Sequence, residues 1–123
     1  MSTIIATTLS DGSVSVPTAT VVNGSAKAWV NFNGTGTIAA RDSFNVASLT
    51  DNGTGDYTVN FSNAFGAADY GITATCINSG SANSFNLTGN LTVAAGSIRG
   101  VVRVSNTATD VDYVITAIHG DLA

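Results

Sequence analysis

One histidine (His119), one cysteine (Cys76) and eight carboxylates, all Asp, are the groups in this 123-residue chain from which catalysis or metal binding could be built. A serine-type triad needs a base beside the nucleophile and a third group that orients the base. His119 is the only histidine and stands near the C-terminus, serines are scattered throughout, and no Gly-x-Ser-x-Gly turn occurs. We expect His119 at a surface or a subunit contact. Zinc sites draw on several Cys and His ligands, and one of each is too few. Calcium asks for clustered oxygens. Asp51, Asn52 and Asp56 bracket a Gly-rich turn, and Asp110 and Asp112 flank Val111, but neither group has the spacing of an EF-hand loop. Asp and Asn are also the residues that turns use for their own hydrogen bonds. Paired carboxylates can cleave glycosides, yet most of these aspartates fall in expected turns. Cys76 lies in the run Gly71-Ile72-Thr73-Ala74-Thr75-Cys76-Ile77 with no basic neighbour to lower its pKa, and is read as a small buried hydrophobe. The expectation is a protein that is not an enzyme and holds no cofactor or metal.

Composition excludes further classes. Charged residues make up 10% of the chain, against roughly 25% in an average soluble domain. Glu and Gln are absent and Lys27 is the only lysine, so the polar surface must be made of Ser, Thr, Asn and Gly. The missing residues are strong helix formers. The abundant ones suit strands and turns. With a net charge of -4 and only Lys27, Arg41, Arg99 and Arg103 as cations, nothing resembles the basic patch of a nucleic-acid binder. No apolar run approaches a membrane span. Residues 1–10 lack the basic start and apolar core of a signal peptide, so a complete, cytoplasmically made product is expected. The Asn-x-Ser/Thr patterns at Asn23, Asn33, Asn52, Asn60, Asn86 and Asn90 are what an Asn- and Thr-rich chain contains by chance, and no glycosylation is read from them.

Short strand signals recur with turn signals between them. Residues 3–9, 13–16 and 18–22 are brief β-prone runs, interrupted by Ser10-Asp11-Gly12, Pro17 and Asn23-Gly24. Pro17, the only proline, demotes its stretch to an edge strand or an extended arm. From residue 26 the alternation is clear: Ala28, Val30 and Phe32 share one face, and Lys27, Trp29 and Asn31 the other. Asn33-Gly34-Thr35-Gly36 and Asn52-Gly53-Thr54-Gly55 are twin hairpin signals, because Asn and Gly tolerate positive φ. Residues 37–41, 43–49, 56–61, 70–77, 84–93, 97–104 and 111–118 complete the strand set, and Phe65 is expected to anchor the loop at 63–69. No run holds a helical stripe, so no helix longer than a turn is expected. The predicted architecture is an all-β antiparallel sandwich of about seven to nine strands, over residues 26–123, preceded by an N-terminal arm or docking segment at 1–25.

Three blocks of this pattern carry a resemblance. They are Lys27-Ala28-Trp29-Val30-Asn31-Phe32-Asn33-Gly34-Thr35-Gly36-Thr37, then Arg41-Asp42-Ser43-Phe44-Asn45-Val46, then Thr50-Asp51-Asn52-Gly53-Thr54-Gly55-Asp56-Tyr57-Thr58-Val59-Asn60-Phe61. Together they resemble the C-terminal domain of many bacteriophage tail-fibre-like proteins. The blocks cover about a quarter of the chain, and the continuation through Ala68-Asp69-Tyr70 fits loosely. The resemblance implies a virion protein, trimeric, with its β domain displayed outward, and it brings no catalytic residues. Many members of that family carry the domain at the end of a long fibre, whereas a chain without a shaft is expected here.

Two roles lead, ahead of a third, a glycan-cleaving or other enzyme carried on the particle. One is a host-attachment module whose loops at 78–83 and 105–109, with Asn83 and Asn106, contact host surface glycan or protein. The other is a capsid decoration protein that clamps neighbouring shell subunits, with the arm adding a strand to a neighbour's sheet edge. Under both, the expected partners are further copies of the chain and other virion proteins. Trp29, Lys27 and Asn31 form the candidate interface or receptor patch. The alternative for Trp29 is a strand buried on both faces.

Overall fold

A computed structural model describes residues 1–79, 85–87 and 91–123, with only the backbone of 85–87. Twelve strands and one helix occur among the described residues. The arm carries β1 (Thr8–Ser10), β2 (Ser15–Pro17) and α1 (Thr18–Gly24). The sandwich follows with β3 (Ala28–Asn33), β4 (Ala39–Phe44), β5 (Val46–Gly53), β6 (Asp56–Phe61) and β7 (Gly71–Ile77). It closes with β8 (Phe85–Leu87), β9 (Thr92–Ala94), β10 (Ser97–Val104), β11 (Thr107–Ala108) and β12 (Tyr113–His119). One sheet runs β4-β3-β12-β7; the other runs β11-β10-β6-β5, with β8 and β9 also on β10, and every pairing is antiparallel.

The alternation seen in the sequence is what closes the two sheets on each other. Along β3, β6 and β12 every second side chain is buried, and these residues meet in one core with Phe32, Val59, Ile98, Val102, Val114 and Ile118. Phe32 and Tyr57 bridge the sheets edge to face at 5.3 Å. Phe61, Phe65 and Tyr70 form a second aromatic group with centroids 4.5–5.9 Å apart. Phe65 anchors its loop as expected: its N–H donates to Ala95 and it bridges to Leu122.

The twin Asn-Gly-Thr-Gly signals do form hairpins, β3–β4 and β5–β6. One side-chain pair pins both. The Tyr57 hydroxyl lies 2.9 Å from the Gly34 carbonyl and 2.9 Å from Asp110 Oδ1, while the Gly55 N–H donates to that same carboxylate oxygen at 2.7 Å. A Cβ on Gly34 would stand 2.4 Å from the Tyr57 hydroxyl oxygen, so the close approach of turn to ring requires glycine there. Gly55 has φ +68°, and a Cβ on it would meet the Val102 carbonyl oxygen at 2.7 Å.

Three expectations are corrected. Residues 18–22 are not a strand. They belong to α1, whose two turns start after Pro17 and end where Ser25 Oγ donates to the Val21 carbonyl and Lys27 Nζ donates to the carbonyls of Val22 and Ser25. Those end partners outweigh the weak strand preference of Thr and Val. The expected strand 43–49 is cut at Asn45, whose φ of 56° sends β4 to one sheet and β5 to the other. Asn tolerates that conformation, and its side chain bonds the carbonyls of Lys27 and Asn63. Phe44 and Val46, two residues apart and so on one face of an unbroken strand, thus part: Phe44 is 55% exposed and Val46 packs on the core. Finally, of the expected strand 84–93 the described residues form β8 and β9, whose registers on β10 are out of step.

Candidate functional site

The outer face of the β4-β3-β12-β7 sheet collects the side chains with binding character. Register puts Trp29 opposite Phe44 on one side and Ala117 on the other, and Asn31 between Asp42 and Ile115. Tyr113 and Ile77 form the next pair along the same face. Trp29 is half-buried, so one part of the indole packs and another meets solvent; Phe44 and Ile77 are exposed.

Arg41 joins this face by way of an irregularity. Simple alternation would put it with Ser43, opposite Asp42 and Phe44. The register between β3 and β4 shifts at Asn31/Phe32, and the resulting bulge lays the Arg41 guanidinium over the Tyr113 ring, 3.9 Å from its centroid, within 3.4 Å of Asn31 Oδ1. Bulges commonly re-aim a side chain in this way. A flat aromatic, a stacked Arg and the amide and carboxylate of Asn31 and Asp42 together offer stacking and hydrogen bonding to one ligand. Trp, Tyr and Arg are the residues that dominate binding surfaces.

The other residues singled out from the sequence do not converge here. Lys27 caps α1 through Nζ, tying the arm to the sandwich. Asn106 sits in the β10–β11 turn of the other sheet at φ 67°, where its carbonyl accepts from Arg103 Nη1. Asn83 lies outside the described residues, as does most of the loop at 78–83. Phe44, Arg41 and Tyr113 belong to the face and escaped sequence reasoning. Phe44 could have been found from its place between the conspicuous Asp42 and Asn45; Arg41 needed the bulge.

Several of the titratable groups are engaged in structure. Asp51 Oδ1 accepts the Gly53 N–H within its turn, and Asp112 accepts from Ser79. Asp56 binds Arg99 through both oxygens at 2.8–2.9 Å, which holds its carboxyl below the ordinary range. Burial, with the neighbouring Asp110 charge, pushes the Tyr57 phenol well above its usual value. Burial pushes the Cys76 thiol up to about 11, as fits an inert core residue. His119 lines a cavity of about 610 Å³ with Asp69, Tyr70 and Asp121; no serine, threonine or cysteine is among the described lining residues. No cluster of three His, Cys or Asp side chains occurs among the described residues. No family model matches the chain, and no curated protein or solved structure matches it either.

Proposed function

We propose that this chain is a non-enzymatic structural protein of a bacteriophage particle, a tail-fibre-like host-attachment module working as a homotrimer on the virion. The observation that carries the attachment role is the outer face of the four-stranded sheet, where Trp29, Phe44 and the Arg41–Tyr113 pair surround Asn31 and Asp42. That mixture suits a host surface glycan: sugar rings stack on aromatic faces, and their hydroxyls pair with amide, carboxylate and guanidinium groups. The sandwich fold and the resemblance of residues 27–61 to tail-fibre-like domains support the same reading. The test is competition. Purified chain added to host cells blocks adsorption of the parent phage, and Trp29→Ala chain does not. Equal blocking by both would remove this face from the role.

A second reading, a capsid decoration protein, is favoured by one feature, the arm. Residues 1–7 have no regular structure, and Ile4 and Ile5 are exposed as if awaiting a neighbour. Gold-labelled antibody on intact particles separates the two. Tail label supports attachment; label over the whole head supports decoration.

A further inference from the structure

The sandwich is open along one flank. β4 is the edge of one sheet and β5 the edge of the other, joined only through Asn45. Between them lies a cleft of about 250 Å³, walled by Ile38, Val46 and Leu49, with Ala39, Ala40 and Ala47 at its rim. Ile38, Val46 and Leu49 touch the core yet stay only partly covered. The volume falls below the ~300 Å³ at which small-molecule pockets begin, and suits a few apolar side chains. No charged residue lines it.

The arm has the opposite problem. Residues 3–7 are uncharged, rich in β-branched side chains and extend from the β1–β2 hairpin, with Ile4 and Ile5 exposed at 91% and 93%. Their own chain gives them little: the Thr18 N–H and hydroxyl bond the carbonyls of Thr7 and Ala6. Nor does the arm leave from the open flank. α1 places Asn23 beside Asp69, Tyr70 and His119, on the β7 side of the sheet. An unpaired eight-residue edge such as β5 invites a strand from another chain unless something covers it.

We infer that residues 3–7 of one copy seat in the β4–β5 cleft of the next, adding a strand to its edge, with Ile5 buried between the sheets and Ile4, on the opposite face of the added strand, covering the outer side of that edge. Arm and cleft are different surfaces, so the contact is head-to-tail, the kind that closes into a ring when the rotation allows; three copies make the expected ring. Backbone hydrogen bonds supply affinity and the two isoleucines supply register. The inference deepens the homotrimer part of the proposed function and rests on it.

The test uses the full chain in two measurements. Light scattering at micromolar concentration shows a trimer for the natural sequence and a monomer for Ile4→Asp/Ile5→Asp, and circular dichroism shows the same strand content in both, because the arm lies outside the core of its own chain. In a second variant, Ile5→Cys with Ala40→Cys, oxidation links chain to chain and gives covalent trimers on a non-reducing denaturing gel. The buried Cys76 does not compete. A trimer that ignores the aspartates, or a disulfide that forms within one chain or not at all, overturns the inference and leaves the homotrimer standing. A monomeric natural chain overturns both.

Discussion

The two outer faces of the sandwich are built from the same few residue types and finished in opposite ways. On the β5-β6-β10 face the polar side chains satisfy one another. Asn60 Nδ2 reaches the hydroxyls of Ser48 and Thr50, both at 3.1 Å, Asn52 Nδ2 bonds Thr58 Oγ1 at 2.8 Å, and Asp56 is closed off by Arg99. On the β4-β3-β12-β7 face the corresponding positions hold Trp29, Phe44, Ile115, Ala117, Tyr113 and Ile77. The first face is complete in the isolated chain; cross-strand bonds between short polar side chains leave little for a partner. The second leaves aromatic surface and polar groups turned to solvent, the combination that interfaces concentrate. In a chain with so few charges, the difference between the finished face and the proposed binding face lies in where the aromatics stand.

The strongest way to disturb both faces at once is through the hinge of residues that joins them. Gly34→Ala drives a methyl into the Tyr57 ring and should cost roughly 3 kcal/mol of stability, in the upper part of the range for overpacking. Denaturant unfolding reads it, and the loss should be matched by weakened attachment, since the β3–β4 hairpin bears Trp29 and Arg41. Trp29→Ala separates the faces: about 2 kcal/mol of binding is lost, roughly thirtyfold in affinity, while the melting temperature moves little. A large fall in melting temperature with unchanged adsorption would make Trp29 a packing residue and undo the comparison.

How far the sequence foretold this contrast depends on whether the deciding feature is local. Alternation along β3, β6 and β12 is local, so their buried faces were legible, as were the twin hairpins from their Asn-Gly pairs. The identity of Trp29 as outward-facing followed from the same count. What stayed hidden depends on partners distant in the chain. Arg41 reaches Tyr113 only because β4 slips a residue against β3. Lys27 reads as a free surface cation until α1 is present for it to cap. Asp110 looks like any turn aspartate, yet it gathers Gly55 and Tyr57 from more than fifty positions away. The helix itself was missed because seven Thr-, Val- and Ala-rich residues carry no stripe, and its ends are made by residues outside it.

Between the faces, the interior should be indifferent to the contrast, and Thr116 tests that. Its hydroxyl is buried with no hydrogen-bond partner among the described residues, beside a small apolar void walled by Phe32, Val59 and Val114. Thr116→Val keeps the shape and removes the orphaned group, so stability should rise by about 1 kcal/mol with adsorption untouched. Asn60→Ala acts on the finished face alone. It breaks the bonds to Ser48 and Thr50 at a half-exposed site, and about 0.5 kcal/mol of stability should go, again without a change in adsorption. A loss of adsorption with Asn60→Ala would mean that both faces bind.

The smallest effect follows from acid. The Arg99 guanidinium holds Asp56 ionised in the folded chain below the pH at which an ordinary carboxylate takes up its proton, chiefly by direct hydrogen bonding. A carboxyl with a lowered folded pKa adds stability that is present in full above its unfolded value, about 4, and is lost as pH falls through the folded one. Asp56→Asn removes that contribution. The melting temperature of the natural chain should therefore exceed that of the variant at neutral pH, by a small margin because Arg99 is well exposed, and the two should converge as the solution is acidified below pH ~4. High salt should narrow the gap in the same direction, since an exposed pair is screened. The aromatic face holds no ion pair among the described residues, and its Arg41 is stacked on Tyr113. The share of binding that Trp29→Ala removes should be the same at neutral pH and in acid, because the indole carries no titrating group; a Trp29 effect that faded together with the Asp56 contribution would tie the two faces together.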